Sequence, residues 1–327
     1  MKLLEFKNVK KYFPVQKSFL EQLFTKERTF VKAVDDVSFE IMKGEVLGLA
    51  GESGSGKTTT GRLCVRLIAP TEGEILFDGQ DIATLKGAEL RKIRQQIQFT
   101  FQDPSSSLNP RISIGNAIAH ALKFQKIGTS EEQKSRAEEV LELVGLSPAS
   151  SFYDRRPHQL SGGQRQRVVF GRAIVLNPEF VVTDEPVAMV DVSIKAQLLD
   201  LMLDLKKELN LTYLFISHDL ATARHVCDRI AIMYLGKLIE IGDKDQIYEE
   251  PLHPYTVGLI NAIPVPDPTV VKTEPVPRGE IPSPINPPSG CRFHPRCPKA
   301  FERCPEEEPV LKDVGEGRKV ACHLYSN

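Results

Sequence analysis

Gly51-Glu52-Ser53-Gly54-Ser55-Gly56-Lys57-Thr58 is the stretch whose reading decides the fold. It fits G-x-x-x-x-G-K-[ST], a loop whose backbone N–H groups turn inward and cradle phosphate oxygens. Glycines at 51, 54 and 56 free the backbone for that turn. Upstream, the apolar run Val46–Ala50 reads as a buried strand; downstream, Thr59–Leu67 reads as a helix. The helix aims its positive end at the phosphates. Lys57 is expected on the β/γ-phosphates and the Thr58 hydroxyl on Mg²⁺, with Ser53, Ser55 and Thr59 in the same binding stretch. A nucleoside triphosphate site follows.

The 327 residues suffice for one large domain and a smaller one. A net charge of −1 argues against a nucleic-acid partner bound by broad phosphate neutralisation. No apolar run is long enough to span a bilayer, and the N-terminus lacks a basic-then-apolar leader, so a cytoplasmic chain is expected. Any membrane role would then run through a partner. Of six cysteines, four fall at Cys291 or beyond, which in a reducing compartment points to ligation more than to disulfides.

Along the chain, Leu4, Phe6 and Val9 open an edge strand, and Val37, Phe39 and Ile41 alternate in another. Between them Phe19, Leu20, Leu23 and Phe24 recur at helical spacing, either as a local helix or as a docking segment. Ile75–Phe77 runs into the hairpin turn Asp78-Gly79. From about 103 to 172 the pattern is helical: Ala137, Val140, Leu141 and Val144 share one face, and Gly145 stops it. Phe180–Thr183, Tyr213–Ile216 and Ile230–Met233 are short strand-like runs separated by helices such as Ile194–Leu209. Alternation of this kind predicts a parallel sheet covered on both faces. Nine prolines between Pro264 and Pro288 predict an extended linker into a small cysteine-bearing module.

Phosphoryl transfer is mostly positioning and charge neutralisation, so further groups are needed. Asp184 ends an apolar strand and suits Mg²⁺, held through water; the second carboxylate, Glu185, follows directly and can polarise an attacking water. His218 ends the next strand, on the edge where parallel sheets bind ligands. Leu160-Ser161-Gly162-Gly163-Gln164 heads the helical run Arg165–Leu176 and forms a second anion site, one without a lysine or carboxylates of its own.

Together these residues resemble the ATP-binding cassette (ABC) ATPases, the motor subunits of ABC transporters. The resemblance runs from residue 1 to about 245 and takes in the loop at 51–58, Gln102, the motif at 160–164, Asp184, Glu185, Asp191 and His218. It implies an α/β fold: a RecA-like parallel sheet with an antiparallel β subdomain and a helical subdomain, about 103–172, within an ATPase domain at 1–245. It implies a head-to-tail dimer, each ATP held between one copy's loop and the other's Ser161, Gly162, Gly163 and Gln164. Glu185 is then the general base, His218 the switch histidine, Gln102 the link between Mg²⁺ and the membrane partner, and Asp191 part of the loop joining the two sites. Phe13, or secondly Tyr12, would stack on adenine. Ala188-Met189-Val190-Asp191 departs from the family's usual Ser-Ala-Leu-Asp, so Ala188 lacks a hydroxyl there.

His253-Pro254-Tyr255 and Phe101–Pro110 resemble the oligopeptide/dipeptide importer subclass, some members of which take oligosaccharides. That implies two membrane permeases, a second ATPase (a paralogue or another copy), an extracytoplasmic solute-binding protein acting indirectly, and a peripheral place on the cytoplasmic face of the membrane. A soluble non-transport ABC ATPase and an ATP-binding clamp without turnover are the rival readings. In the extension, 246–327, Cys291, Cys297, Cys304 and Cys322 give C-x₅-C-x₆-C-x₁₇-C. Spacing alone leaves a [4Fe–4S] cluster and a Zn²⁺ site open. Resemblance to cluster-bearing members favours iron–sulfur. Cys64 and Cys227 read as packing residues.

Overall fold

A computed structural model describes residues 1–15, 29–188, 190–263 and 279–325. The segment with Phe19, Leu20, Leu23 and Phe24, residue Met189, and the first part of the proline-rich stretch lie outside the described residues.

Two sheets carry the fold. Strands β1 (Lys2–Pro14), β2 (Phe30–Met42), β4 (Glu72–Phe77) and β5 (Gln80–Asp81) form an antiparallel sheet in the order β2-β1-β4-β5. Leu4, Phe6 and Val9 are buried in it, and Phe6 stacks on Phe39 at 4.7 Å between ring centroids. The eight-stranded sheet has β3 (Val46–Ala50) near its middle, with β6 (Ile97–Thr100), β7 (Phe180–Asp184), β8 (Thr212–Ser217), β9 (Arg229–Tyr234), β10 (Lys237–Asp243), β11 (Lys312–Gly315) and β12 (Arg318–Val320). Its order is β11-β12-β10-β9-β3-β8-β7-β6. The run from β9 to β6 is parallel, and every residue of β3, β7 and β8 is buried. Wholly buried strands of this kind need cover on both faces.

Helix α1 (Lys57–Cys64) follows β3 directly, and α2 (Gly87–Gln96) leads into β6. Between β6 and β7 lie α3 (Ile114–Gln125), α4 (Ser130–Leu143) and α5 (Gly162–Ile174). Helix α4 starts on a reciprocal cap between Thr129 and Glu132 and stops before Gly145, whose φ is 71°. Ala137, Val140, Leu141 and Val144, the face expected from their spacing, are fully buried. Beyond β7 come α6 (Val192–Leu209) and α7 (Leu220–Val226), then α8 (Lys244–Glu249) and α9 (Pro254–Asn261) after β10. Cys64 and Cys227 are buried, as packing residues should be. Helix α1 begins two residues before the expected Thr59 because Gly56, at φ 107°, already caps it.

The C-terminal extension, expected as a small cysteine-bearing module, is joined to the larger unit. Its strand β12 pairs antiparallel with β10 and so adds to the edge of the central sheet. Phe293 is 1% exposed and sits in the main core, 5.3 Å from Tyr234 and 5.4 Å from Tyr255 between ring centroids. Few other apolar side chains beyond Gly290 are buried, so the segment stabilises itself by borrowing the core of the larger unit. Among the described residues no helix is long and apolar enough to cross a membrane.

Candidate nucleotide site

The parallel register brings the candidate residues to one sheet edge. Ala50 pairs with Ser217 and Asp184 with Ile216, so the chain leaves β3, β7 and β8 side by side. Gly51, Glu185 and His218 therefore emerge together, at the strand ends where α/β sheets bind ligands. A cleft there is lined by Ser53, Gly54, Gly56, Lys57, Thr58, Thr59, Gln102, Glu185 and His218, together with Val31, Ala33 and Pro284.

Close approach dictates two of the loop glycines. A Cβ on Gly51 (φ 148°) would lie 2.2 Å from the Met233 carbonyl, and one on Gly56 would lie 2.3 Å from the Ala33 carbonyl. Lys57 Nζ donates to the carbonyls of Gly51 (2.7 Å) and Glu52 (2.8 Å). Burial lowers its pKa, against the opposing fields of Glu185, Asp184 and Glu52. Anionic phosphate at the head of α1 would complete this cation's shell.

Beside the loop, the Thr58 hydroxyl donates to Asp184 Oδ1 at 3.1 Å. Burial raises the Asp184 carboxyl's pKa, and the Thr58 bond works the other way. Thr58 and Asp184 are residues that would hold a divalent cation, whose charge would favour the ionised carboxylate. Glu185 has a left-handed φ of 49°, strained for a glutamate, and its N–H is tied to the Ile216 carbonyl at 2.9 Å. That turn presents the carboxylate to two neighbours: Gln102 Nε2 donates to Oε2 at 2.6 Å, and His218 Nδ1 lies 2.8 Å from Oε1. A carboxylate so bracketed is oriented to accept a proton from water.

The Ser161–Gln164 motif is preformed at the head of α5. Ser161 Oγ accepts from the Gln164 N–H, and Gln164 Oε1 accepts from the Ser161 N–H, at 3.3 and 3.1 Å. None of Ser161, Gly162, Gly163 and Gln164 lines the cleft of its own chain. Asp191, at the head of α6, is also away from it, and Ala188 is exposed.

The two aromatic candidates separate by face. Phe13 pairs with Val31, a cleft residue, and so shares its side of the sheet at the rim. Tyr12, the next residue along the strand, faces the other way and donates its hydroxyl to Asp35. Asp35 is engaged as well by Arg292 and, at 3.9 Å, by Lys237.

Cys291, Cys297, Cys304 and Cys322 line one small cavity with His294 and His323, and none is in a disulfide. Burial pushes the Cys291 thiol up to about 11 and raises those of Cys297 and Cys322 too. The donor set is right in kind for a thiolate-ligated group. Its spacing is not: among the described residues no three His, Cys, Asp or Glu side chains converge closely enough to hold a metal ion. The side-chain placement therefore lends no support to the iron–sulfur or zinc site expected at these four positions.

Sequence reasoning missed the residues behind the phosphate loop. Arg296 forks onto Glu52, at 2.8 and 3.1 Å, and the Tyr255 hydroxyl accepts the Glu52 N–H at 2.8 Å. Neither contact carries a local signal in the chain.

Two family profiles match: ABC transporter over residues 34–188, and oligopeptide/dipeptide transporter, C-terminal region, over 239–304. The oligopeptide transport ATP-binding protein AppF of Bacillus subtilis is 50% identical over 327 residues, covering 99% of this chain and 98% of that protein. A putative peptide import ATP-binding protein of Brucella ovis is 50% identical over 292 residues, 89% of this chain and 92% of its own. The post-hydrolysis dimer of the ATP-binding cassette MJ0796, bound to ADP and Pi, superposes with a TM-score of 0.64 at 30% identity. That match covers 74% of this chain and 99% of the other.

Proposed function

The chain belongs to the ABC transporter ATPases of the oligopeptide/dipeptide importer type, and on that premise we propose that it is the ATP-hydrolysing motor of a peptide importer. The observation that carries this is the bracketed Glu185, held by Gln102 and His218 beside a phosphate loop whose Thr58 meets Asp184. In this reading Lys57 and the N–H groups of residues 53–59 hold the triphosphate of ATP. Thr58, Gln102 and Asp184 would hold Mg²⁺, which neutralises charge on the phosphates. Glu185 takes the proton of the attacking water, and His218 orients Glu185 and the γ-phosphate. Phe13 covers adenine from the rim.

Ser161, Gly162, Gly163 and Gln164 close the site of a facing ATPase, with Asp191 linking the two sites. What supports this is that the motif is preformed yet lies off its own chain's cleft. The partners are then two membrane permeases and a second ATPase, a paralogue or another copy, with a solute-binding protein acting indirectly. The chain sits peripherally at the cytoplasmic face of the membrane. We place the ATPase domain at 1–245, with its helical subdomain at about 103–172, and the extension at 246–327. The four extension cysteines are proposed to hold a [4Fe–4S] cluster, Zn²⁺ being the alternative; what supports this is that all four line one cavity, and the thiols would have to draw together around the group. Anaerobically purified protein should carry iron and sulfide, and stoichiometric zinc would reverse the assignment.

The transport reading is tested in cells lacking the gene, with uptake of a labelled oligopeptide as readout. The wild-type chain should restore uptake and Glu185→Gln should not. Restoration by both, or by neither, refutes a hydrolysis-driven importer of peptides.

A further inference from the structure

Glu52 is the second residue of the phosphate loop, and each of its polar groups is occupied. Its carbonyl accepts from Lys57 Nζ at 2.8 Å, its N–H donates to the Tyr255 hydroxyl at 2.8 Å, and its carboxylate receives both arms of Arg296. Two of those three partners come from the C-terminal extension. Arg296 is 9% exposed, and its guanidinium lies 5.8 Å from the Tyr234 ring centre. It belongs to the short turn His294–Arg296, fastened by the Arg296 N–H to the Phe293 carbonyl at 2.9 Å. Tyr255 is fully buried near the start of α9 and packs on Tyr234 at 4.7 Å between centroids. These are rigid supports: a planar fork and a buried ring lose little freedom in making their bonds.

Two consequences follow for an anion in the cleft. The Tyr255 bond holds the Glu52 peptide N–H away from the cleft, which fixes how the loop turns as it leaves Gly51. The N–H groups farther along then stay aimed at the phosphates, as an anion nest requires. Secondly, a carboxylate in the loop repels a triphosphate unless a cation neutralises it, and Arg296 does so through a bidentate pair. We propose that Arg296 and Tyr255 are positioning residues for ATP: a strap from the extension presets the phosphate loop and cancels the Glu52 charge. The proposal rests on the reading of Gly51–Thr58 as the triphosphate site.

The test titrates a fluorescent ATP analogue into the full-length chain, with phosphate release measured in parallel. Arg296→Met should raise the nucleotide Kd about five- to ten-fold and raise KM likewise, with kcat at saturating ATP within about two-fold. Adding Glu52→Gln to Arg296→Met should return Kd to within about two-fold of wild type, a rescue that lost packing alone would not give. Tyr255→Phe, which keeps the ring in place, should raise Kd about three-fold and decides the matter if Arg296→Met does not fold. An unchanged Kd in Tyr255→Phe, or in soluble Arg296→Met, overturns the strap, as does failure of the Glu52→Gln rescue. Lys57→Ala separates the two levels: if it leaves Kd unchanged, the triphosphate site itself is wrong. If it weakens binding while the strap variants do not, only the strap fails.

Discussion

Replacing Glu185 by Gln tests the chemistry most directly. The amide keeps the shape and one carbonyl oxygen, so it can still accept from Gln102 Nε2, which lies 2.6 Å from the native carboxylate. Its NH₂ can face His218 Nδ1, 2.8 Å away in the native pair, provided the imidazole presents that nitrogen as an acceptor. The main-chain bond from Glu185 N–H to the Ile216 carbonyl is untouched, and so are Lys57 and Thr58. Geometry therefore survives and only basicity is lost. A positioned general base contributes about 10²- to 10⁴-fold to rate, or about 3–5 kcal/mol of barrier. Phosphate release at saturating ATP should fall at least about 100-fold, while nucleotide Kd stays within about three-fold. With ATP bound and not consumed, light scattering should show a dimer. A kcat within about three-fold of wild type would remove Glu185 as the base, and an equal loss in Kd would show collapse of the site instead.

Two further outcomes concern how the extension is fastened. Glu240 is 0% exposed, accepts from Arg318 at 2.6 Å and from the N–H groups of Leu252 and His253 at 3.0 Å each. Breaking a buried pair costs about 3–5 kcal/mol. With two N–H bonds left on the carboxylate, Arg318→Met should fall near the lower end, about 3 kcal/mol by urea unfolding; a loss below about 1 kcal/mol would show that water reaches Glu240. His253 is buried, its pKa pushed by burial from 6.5 down to about 3. The unfolded chain binds that proton first, so this contribution is full above the unfolded value and is lost as pH falls toward the folded one. Between about pH 7 and pH 5 the loss is about 2 kcal/mol. His253→Asn, which can still cap α9, should flatten that part of the profile, and an unchanged slope would refute the assignment.

What the sequence by itself determined is local. The phosphate loop, the Asp184-Glu185 pair at a strand end, the Ser161–Gln164 cap and the face of α4 are each set by neighbours within a few residues, where spacing and propensity act directly. The tertiary structure alone decided which of these meet. The alignment of Ala50 with Ser217 and of Asp184 with Ile216 puts Gly51, Glu185 and His218 at one edge, and strand pairing tells Phe13 from Tyr12 by face. The same holds for β12 on the edge of β10 and for Arg296 on Glu52, 244 positions apart in the chain. Such contacts carry no local propensity, because their free energy comes from burial and charge pairing that exist only once the chain has closed on itself.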